Sequence, residues 1–356
     1  MARYALEASS GLTEGGVAPC AKHFPGHGDT HVDSHLALPV INKTERELYE
    51  TELVPFRALI EAGVATVMTG HMALPFVVTE DDKEAPSSCS KTVTTELLRH
   101  RLGFKGVIVT DCLEMEAVAG KYTSQKGAVL SLQAGADVAM ICHTMRVQTG
   151  AMEGTYRAVA TGALSLAALR ESGRRIGELK RRFAGTWEMV LAELDETRLA
   201  NIAEANTELS RRAYKASTRI IRGPLPAVRE GPVLVLTPSG DPQYFAFAEH
   251  VRAHRTETQQ VLYSPLPGPV VVLHQGLALL IFVTRNADRS TWQLAYLRRL
   301  KEHIPQDTAV VVLASRGPYD LEDASDIGYG CVGSMEDTEP ALYAAAGVIM
   351  RSRVIE

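Results

Sequence analysis

The sequence predicts an α/β protein of two domains, each with a largely parallel sheet covered by helices. Three observations predict it. Short runs rich in Val, Ile and Ala are almost continuously apolar, which suits strands buried on both faces. These runs alternate with segments whose apolar residues recur at helical spacing. A proline-rich interruption, RGPLPAVREGP at 222–232, separates two such alternating regions.

In the first region the strand candidates are GVAPCAKHF, VATVMTGHM, KGVIVTDCLEM and ADVAMICHT. Between them lie the helix candidates TERELYETELVPFRALIEAG, with Gly63 as its stop, KTVTTELLRHRLGF, with Thr92 or Thr94 as N-cap, and SQKGAVLSLQAG. Each strand ends in polar residues: Lys22 and His23, His71, Asp111, His143. Chemistry sits at that end in a (β/α)8 barrel and in an open doubly wound sheet alike, so periodicity leaves the two open. LSLAALRESGRRIGELKRRF and ANTELSRRAYKASTRII then read as a helical connection. Beyond the proline-rich break, PVLVLTP, QQVLYS, LALLIFVTRN and TAVVVLAS read as strands. PQYFAFAEHVRAH, STWQLAYLRRLKEHI and TEPALYAAAGVIM read as helices. The expected division is 1–185 for the first domain, 186–222 for the connection and 223–356 for the second.

Composition narrows the function classes. The 356 residues are 46% hydrophobic and 22% charged, the balance of a globular chain long enough for two cores. A formal charge of −5 lacks the basic surplus of a nucleic-acid binder. The longest apolar run, GPVVVLHQGLALLIFVTRN, is broken by His274, Gln275 and Gly276 and falls short of a membrane span, so no membrane partner is expected. The residues after Met1 have no apolar core of a secretory signal, and five scattered cysteines offer no disulfide framework. A reducing, cytoplasmic setting is the expectation. PGHG is too short for a dinucleotide fingerprint and reads as a turn, so no cofactor is expected.

The segment CAKHFPGHGDTHVDSHLALP holds four of the eleven histidines. It has three readings. It could be a surface loop with incidental histidines. It could be a metal site built from His23, His27, His31 and His35, although Pro25, Gly26 and Gly28 argue against the helix that would align them. Or it could be an acid/base pair, with Asp33 orienting the imidazole of His35. Asp111, taken alone, is as well explained as an N-cap of the LEMEAV turn as by catalysis.

KHFPGHGDTHVDSH, followed by VMTGHM and GVIVTDCLEM, resembles the β-N-acetylglucosaminidases of glycoside hydrolase family 3. The first motif is long and specific. VVVLASRGPYDL and YGCVGSMEDTEPALYAAAGVI are similar to the C-terminal α/β domain of that family, less specifically. The resemblance implies a retaining hydrolase that removes terminal β-linked N-acetylglucosamine from a small carbohydrate substrate. Asp111 would be the nucleophile, His35 the acid/base and Asp33 its support, while Lys22 and His23 would bind sugar hydroxyls. No metal is implied. A histidine in this role departs from the usual pair of carboxylates.

In that family the KHFPGHG strand is the fifth of the barrel, and no stretch here reads RSFG, another of its segments. The resemblance therefore implies the C-terminal half of a (β/α)8 TIM barrel followed by a second, sandwich-like α/β domain. Half a barrel leaves strand edges and an apolar face uncovered, which pairing in a homo-oligomer or with a missing N-terminal half would cover. Two alternatives accompany the hydrolase reading: phosphorolysis at the same site, and a sugar-binding or scaffold relative that has lost activity.

Overall fold

A computed structural model describes residues 1–30, 34, 37–191, 195–240, 243–265, 271–324, 326, 329–351 and 354–355. The chain divides into two compact units, Met1–Ala192 and Glu193–Glu356.

The first unit opens with helix α1 (Ala2–Glu14) and strand β1 (Cys20–Phe24). Helices α2 (Glu45–Glu50) and α3 (Leu53–Glu61) follow, then β2 (Thr66–Thr69) and β3 (Val107–Thr110). The sheet order is β1-β2-β3, all parallel. A fourth parallel segment joins beside β3 through the Val109–Val138 bridge, with Thr110 N–H donating to Val138 O at 3.0 Å. Strands therefore neighbour each other in chain order with helices between them, the connectivity of a barrel segment. Helices α4 (Glu116–Tyr122), α5 (Ser124–Ala134), α6 (Met145–Ala160), α7 (Leu166–Phe183) and α8 (Trp187–Val190) complete the unit. Its core joins Phe24 and Val67 of the sheet to Phe56 and Leu59 of α3 and to Val93 and Leu97.

Several elements differ from expectation. The long helix expected at 44–63 is two helices: Thr44 and Glu47 form a capping box at the start of α2, and the backbone breaks at Thr51. The segment after Lys91 winds as a π-helix, Thr92–Arg101, and neither Thr92 nor Thr94 caps it. The Ser90 hydroxyl accepts the Val93 N–H instead, while the Thr94 hydroxyl bonds back to Ser87 O. ADVAMICHT contributes a single bridge rather than a full strand.

The second unit begins with α9 (Glu196–Ser217), β4 (Arg219–Arg222) and the two-residue β5 (Val228–Arg229). It continues with β6 (Val233–Pro238), α10 (Gln243–Arg252), β7 (Thr258–Tyr263), β8 (Leu279–Thr284) and α11 (Trp292–Lys301). It ends with β9 (Ala309–Ala314), β10 (Gly330–Gly333), α12 (Glu339–Ile349) and β11 (Val354–Ile355), which pairs with β5. The main sheet runs β4-β10-β9-β8-β6-β7, parallel except for the antiparallel edge strand β4. Every residue of β6 and β8 is buried, as their unbroken apolar runs require. One face packs Leu280, Phe282 and Val312 against α11; the other packs Val235, Ile281 and Leu313 against α10 and α12. Strand β10, GCVG, and the antiparallel β4 lie outside the expected strands; the helical pattern of ANTELSRRAYKASTRII ends at Ser217, and its last residues pair in β4. Among the described residues, no helix is long and apolar enough to cross a membrane.

Candidate active site

The C-terminal ends of β1, β2 and β3 are stitched together by the backbone. Gly70 N–H donates to Phe24 O at 2.9 Å, and Asp111 N–H donates to Thr69 O at 2.8 Å. This ladder brings His23, His71 and Asp111 to one rim from positions up to 88 residues apart in sequence. His23 Nε2 lies 3.5 Å from Asp111 Oδ2, with both side chains partly exposed. Asp111 Oδ1 accepts the N–H of Cys112 at 2.7 Å. Asp111 caps no helix: α4 starts five residues later, at Glu116. Gly70 makes the approach possible, because a Cβ there would lie 3.0 Å from the Cβ of His23.

His71 is fully buried and acts on the backbone beside Asp111. Its Nε2–H donates to Cys112 O at 2.9 Å, and its Nδ1 accepts from Ser88 Oγ at 2.8 Å. Burial pushes its pKa down, outweighing the raising effects of the Cys112 carbonyl and the Asp111 charge. The ring is therefore a neutral strut, holding the peptide that follows Asp111.

Lys22 is exposed and His23 half-buried, and both line a cavity of about 670 Å³ beside α1 and α3. Apolar residues such as Leu12, Phe56 and Leu59 form much of its wall, and Asp111 is not part of it. Lys22 and His23 thus open onto this cavity, while Asp111 and His71 stand outside its wall.

Asp33, His35 and His31 lie outside the described residues. Described residues before, between and after them are tied to the rest of the unit. His27 Nδ1 is 2.8 Å from Thr30 Oγ1, and its Nε2 is 3.1 Å from Ser34 Oγ. Ser34 is buried, and its carbonyl accepts the N–H of Ala117 in α4 at 3.4 Å. Lys43 pairs with Glu52 and sits 3.1 Å from Asp29. Both nitrogens of His27 are thereby engaged by hydroxyls, which does not favour it as a metal ligand.

Sequence reasoning missed Glu114. Its carboxylate accepts the N–H groups of Cys142 at 3.0 Å, His143 at 2.7 Å and Thr144 at 3.1 Å, tying the loop after β3 to the start of α6. Hydrogen bonding, led by Thr144, holds its carboxyl below the usual range. The signal was a glutamate three residues beyond the strand-end Asp111, but its partners lie some thirty residues away.

A parallel strand–helix rim with histidines and a carboxylate at the C-terminal ends is the arrangement of barrel-type hydrolases. The chain belongs to glycosyl hydrolase family 3: residues 1–179 match the model of the family's N-terminal domain. A β-hexosaminidase of Neisseria meningitidis serogroup B is 41% identical over 143 residues, 40% of this chain and 38% of the relative. β-Hexosaminidase A of Pseudoalteromonas piscicida is 34% identical over 179 residues, 46% of this chain and 30% of that one. The structure of a family 3 β-N-acetylglucosaminidase from Paenibacillus sp. str. FPU-7 superposes with a TM-score of 0.82 at 30% identity, over 98% of this chain and 68% of that one. A fungal multi-domain family 3 β-N-acetylglucosaminidase gives 0.86 at 33% identity, over 99% of this chain and 43% of that one. The first unit is thus TIM-barrel-like and the second is an additional α/β domain. The chain spans about two fifths of the length of the Neisseria relative it matches.

Proposed function

We propose that this chain carries the catalytic groups of a retaining β-N-acetylhexosaminidase that releases terminal β-linked N-acetylglucosamine. Asp111 is the nucleophile. One of its oxygens attacks the anomeric carbon as the glycosidic C–O bond breaks, and the His35 imidazolium gives its proton to the leaving oxygen. Water then attacks the same carbon, His35 takes its proton, and the Asp111 carboxylate departs. The protein returns to its starting protonation state and the sugar keeps its configuration. Asp33 orients His35, and Lys22 and His23 bind sugar hydroxyls.

The observation that carries this reading is Asp111 at the C-terminal end of β3, its carboxylate 3.5 Å from His23 and its following peptide held by His71. Ser34, the residue between Asp33 and His35 in sequence, bonds through its carbonyl to Ala117 of α4, the helix that follows Asp111, which supports this reading. The names of the relatives, β-hexosaminidase and β-N-acetylglucosaminidase, supply the substrate class.

The test is turnover of an aryl N-acetyl-β-glucosaminide by the chain and by its Asp111→Ala variant. Loss by at least about 10³-fold is expected for removal of a nucleophile. A fluorinated N-acetylglucosaminide should leave its sugar on the peptide containing Asp111, detected by mass. Undiminished turnover by the variant, or label on another residue, would overturn the assignment.

A further inference from the structure

Directly beside Asp111 lies a second group of side chains that the proposed hydrolysis does not use. Cys112, Glu114 and His143 each offer a donor atom, and the three atoms lie within 4.8 Å of one another. They come from two segments brought together by the sheet, the loop after β3 and the residues leading into α6. The Cys112 thiol is 3.9 Å from Glu114 Oε2.

We propose that Cys112, Glu114 and His143 form a three-donor binding site for a borderline-soft divalent cation of the zinc class, with water completing its shell. The donor set carries the choice of metal: a thiol and an imidazole suit zinc over magnesium or calcium, which take oxygen ligands. The geometry is within reach. Tetrahedral zinc with bonds of about 2.0–2.3 Å needs donors roughly 3.3–3.8 Å apart, so closing from the present spacing takes rotamer adjustments on the scale of one ångström. His143 is exposed, so it can move and a cation can enter. Glu114 is already fixed in place by three backbone amides, and a carboxylate with about four acceptor positions keeps room for one more partner.

The Cys112 thiol and the Glu114 carboxylate converge at this site, and a divalent cation would bind both while displacing the thiol proton. The N-terminal end of α6 opposes a cation, and the Glu114 carboxylate seated on it offsets that field. A cation held by Cys112 would sit next to Asp111 and draw on its charge; that consequence alone rests on the nucleophile reading above.

Binding is read without any assay of turnover, so its outcome stands apart from the hydrolase proposal. The full chain, reduced and stripped of metal, is titrated with cobalt(II) as the spectroscopic probe and then with zinc(II). One equivalent of cobalt should produce a thiolate-to-metal charge-transfer band, and one equivalent of zinc should abolish it. His143→Ala, at an exposed position that does not threaten folding, should weaken binding by at least about tenfold. Cys112→Ser should remove most of the band, and Cys89→Ser or Cys331→Ser should leave it unchanged. Absence of a thiolate band in the unmodified chain would overturn the site. A band that survives undiminished in the Cys112→Ser variant would do the same.

Discussion

His71 shows how much one buried side chain can decide. Its ring runs from the Ser88 hydroxyl to the Cys112 carbonyl, and burial favours its neutral form. Its pKa is lowered on folding, so the unfolded chain binds the proton more readily. The sign follows: the strut's contribution is complete above about pH 6.5, the ordinary histidine value, and is lost as pH falls below it. His71→Gln should flatten part of the fall in urea midpoint between pH 7 and pH 5; an unchanged slope would show that His71 does not titrate with unfolding. Glu114 yields a second expectation at this scale. Glu114→Ala should speed hydrogen exchange of the Cys142, His143 and Thr144 amides relative to the rest of α6, because it removes their shared acceptor. Sequence reading found Asp111, His71 and His143 because each ends an apolar run. It missed Ser88 and Glu114 because a hydroxyl or carboxylate in a loop has no pattern until its partner, 17 to 30 residues away, is brought beside it.

At the scale of elements, the far end of the first sheet is held by a buried charge cluster. Asp137, its side chain fully inaccessible, accepts from Arg99, from Arg175 at 2.9 Å, from Ser172 at 2.7 Å and from Ile108 N–H at 2.8 Å. It joins the π-helix, α7, β3 and the fourth strand segment in one network, opposite the rim that carries Asp111. Replacing one member strands its partners: Asp137→Asn should cost about 3–5 kcal/mol in urea unfolding, chiefly by leaving Arg99 buried without its counter-charge. A loss under about 1 kcal/mol would mean the cluster is hydrated. Gly106 stands beside it for a steric reason, since a Cβ there would fall 2.3 Å from Ala65 O. Here the sequence was legible for type and order of elements but not for their ends. Ser90 rather than Thr92 or Thr94 caps the π-helix because its hydroxyl lies where the Val93 N–H points, which only the packed loop decides. ADVAMICHT shrinks to a bridge because its last residues turn away to meet Glu114.

Taken whole, the molecule is two units with separate cores, and each should answer to its own substitutions. The two tryptophans fall one to each unit, Trp187 in the first and Trp292 in the second, packed against the sheet core. In a Trp187→Phe background, Trp292 fluorescence reports the second unit alone. Phe282→Ala, which empties a fully buried site in β8, should lower the stability read by Trp292 by about 3–5 kcal/mol. A shift within about 0.5 kcal/mol would mean that Trp292 does not follow the unfolding of that core. The amino-acid order alone determined the α/β class, the parallel strands and the residues at their ends, because burial on both faces writes itself as unbroken apolar runs. It also held the motif that marks the family. The strand neighbours, the approach of His23 to Asp111 and the meeting of Cys112 with His143 were decided only by tertiary structure. Those contacts join residues tens of positions apart, and distance in space has no signature in a linear pattern until the backbone ladder sets the register.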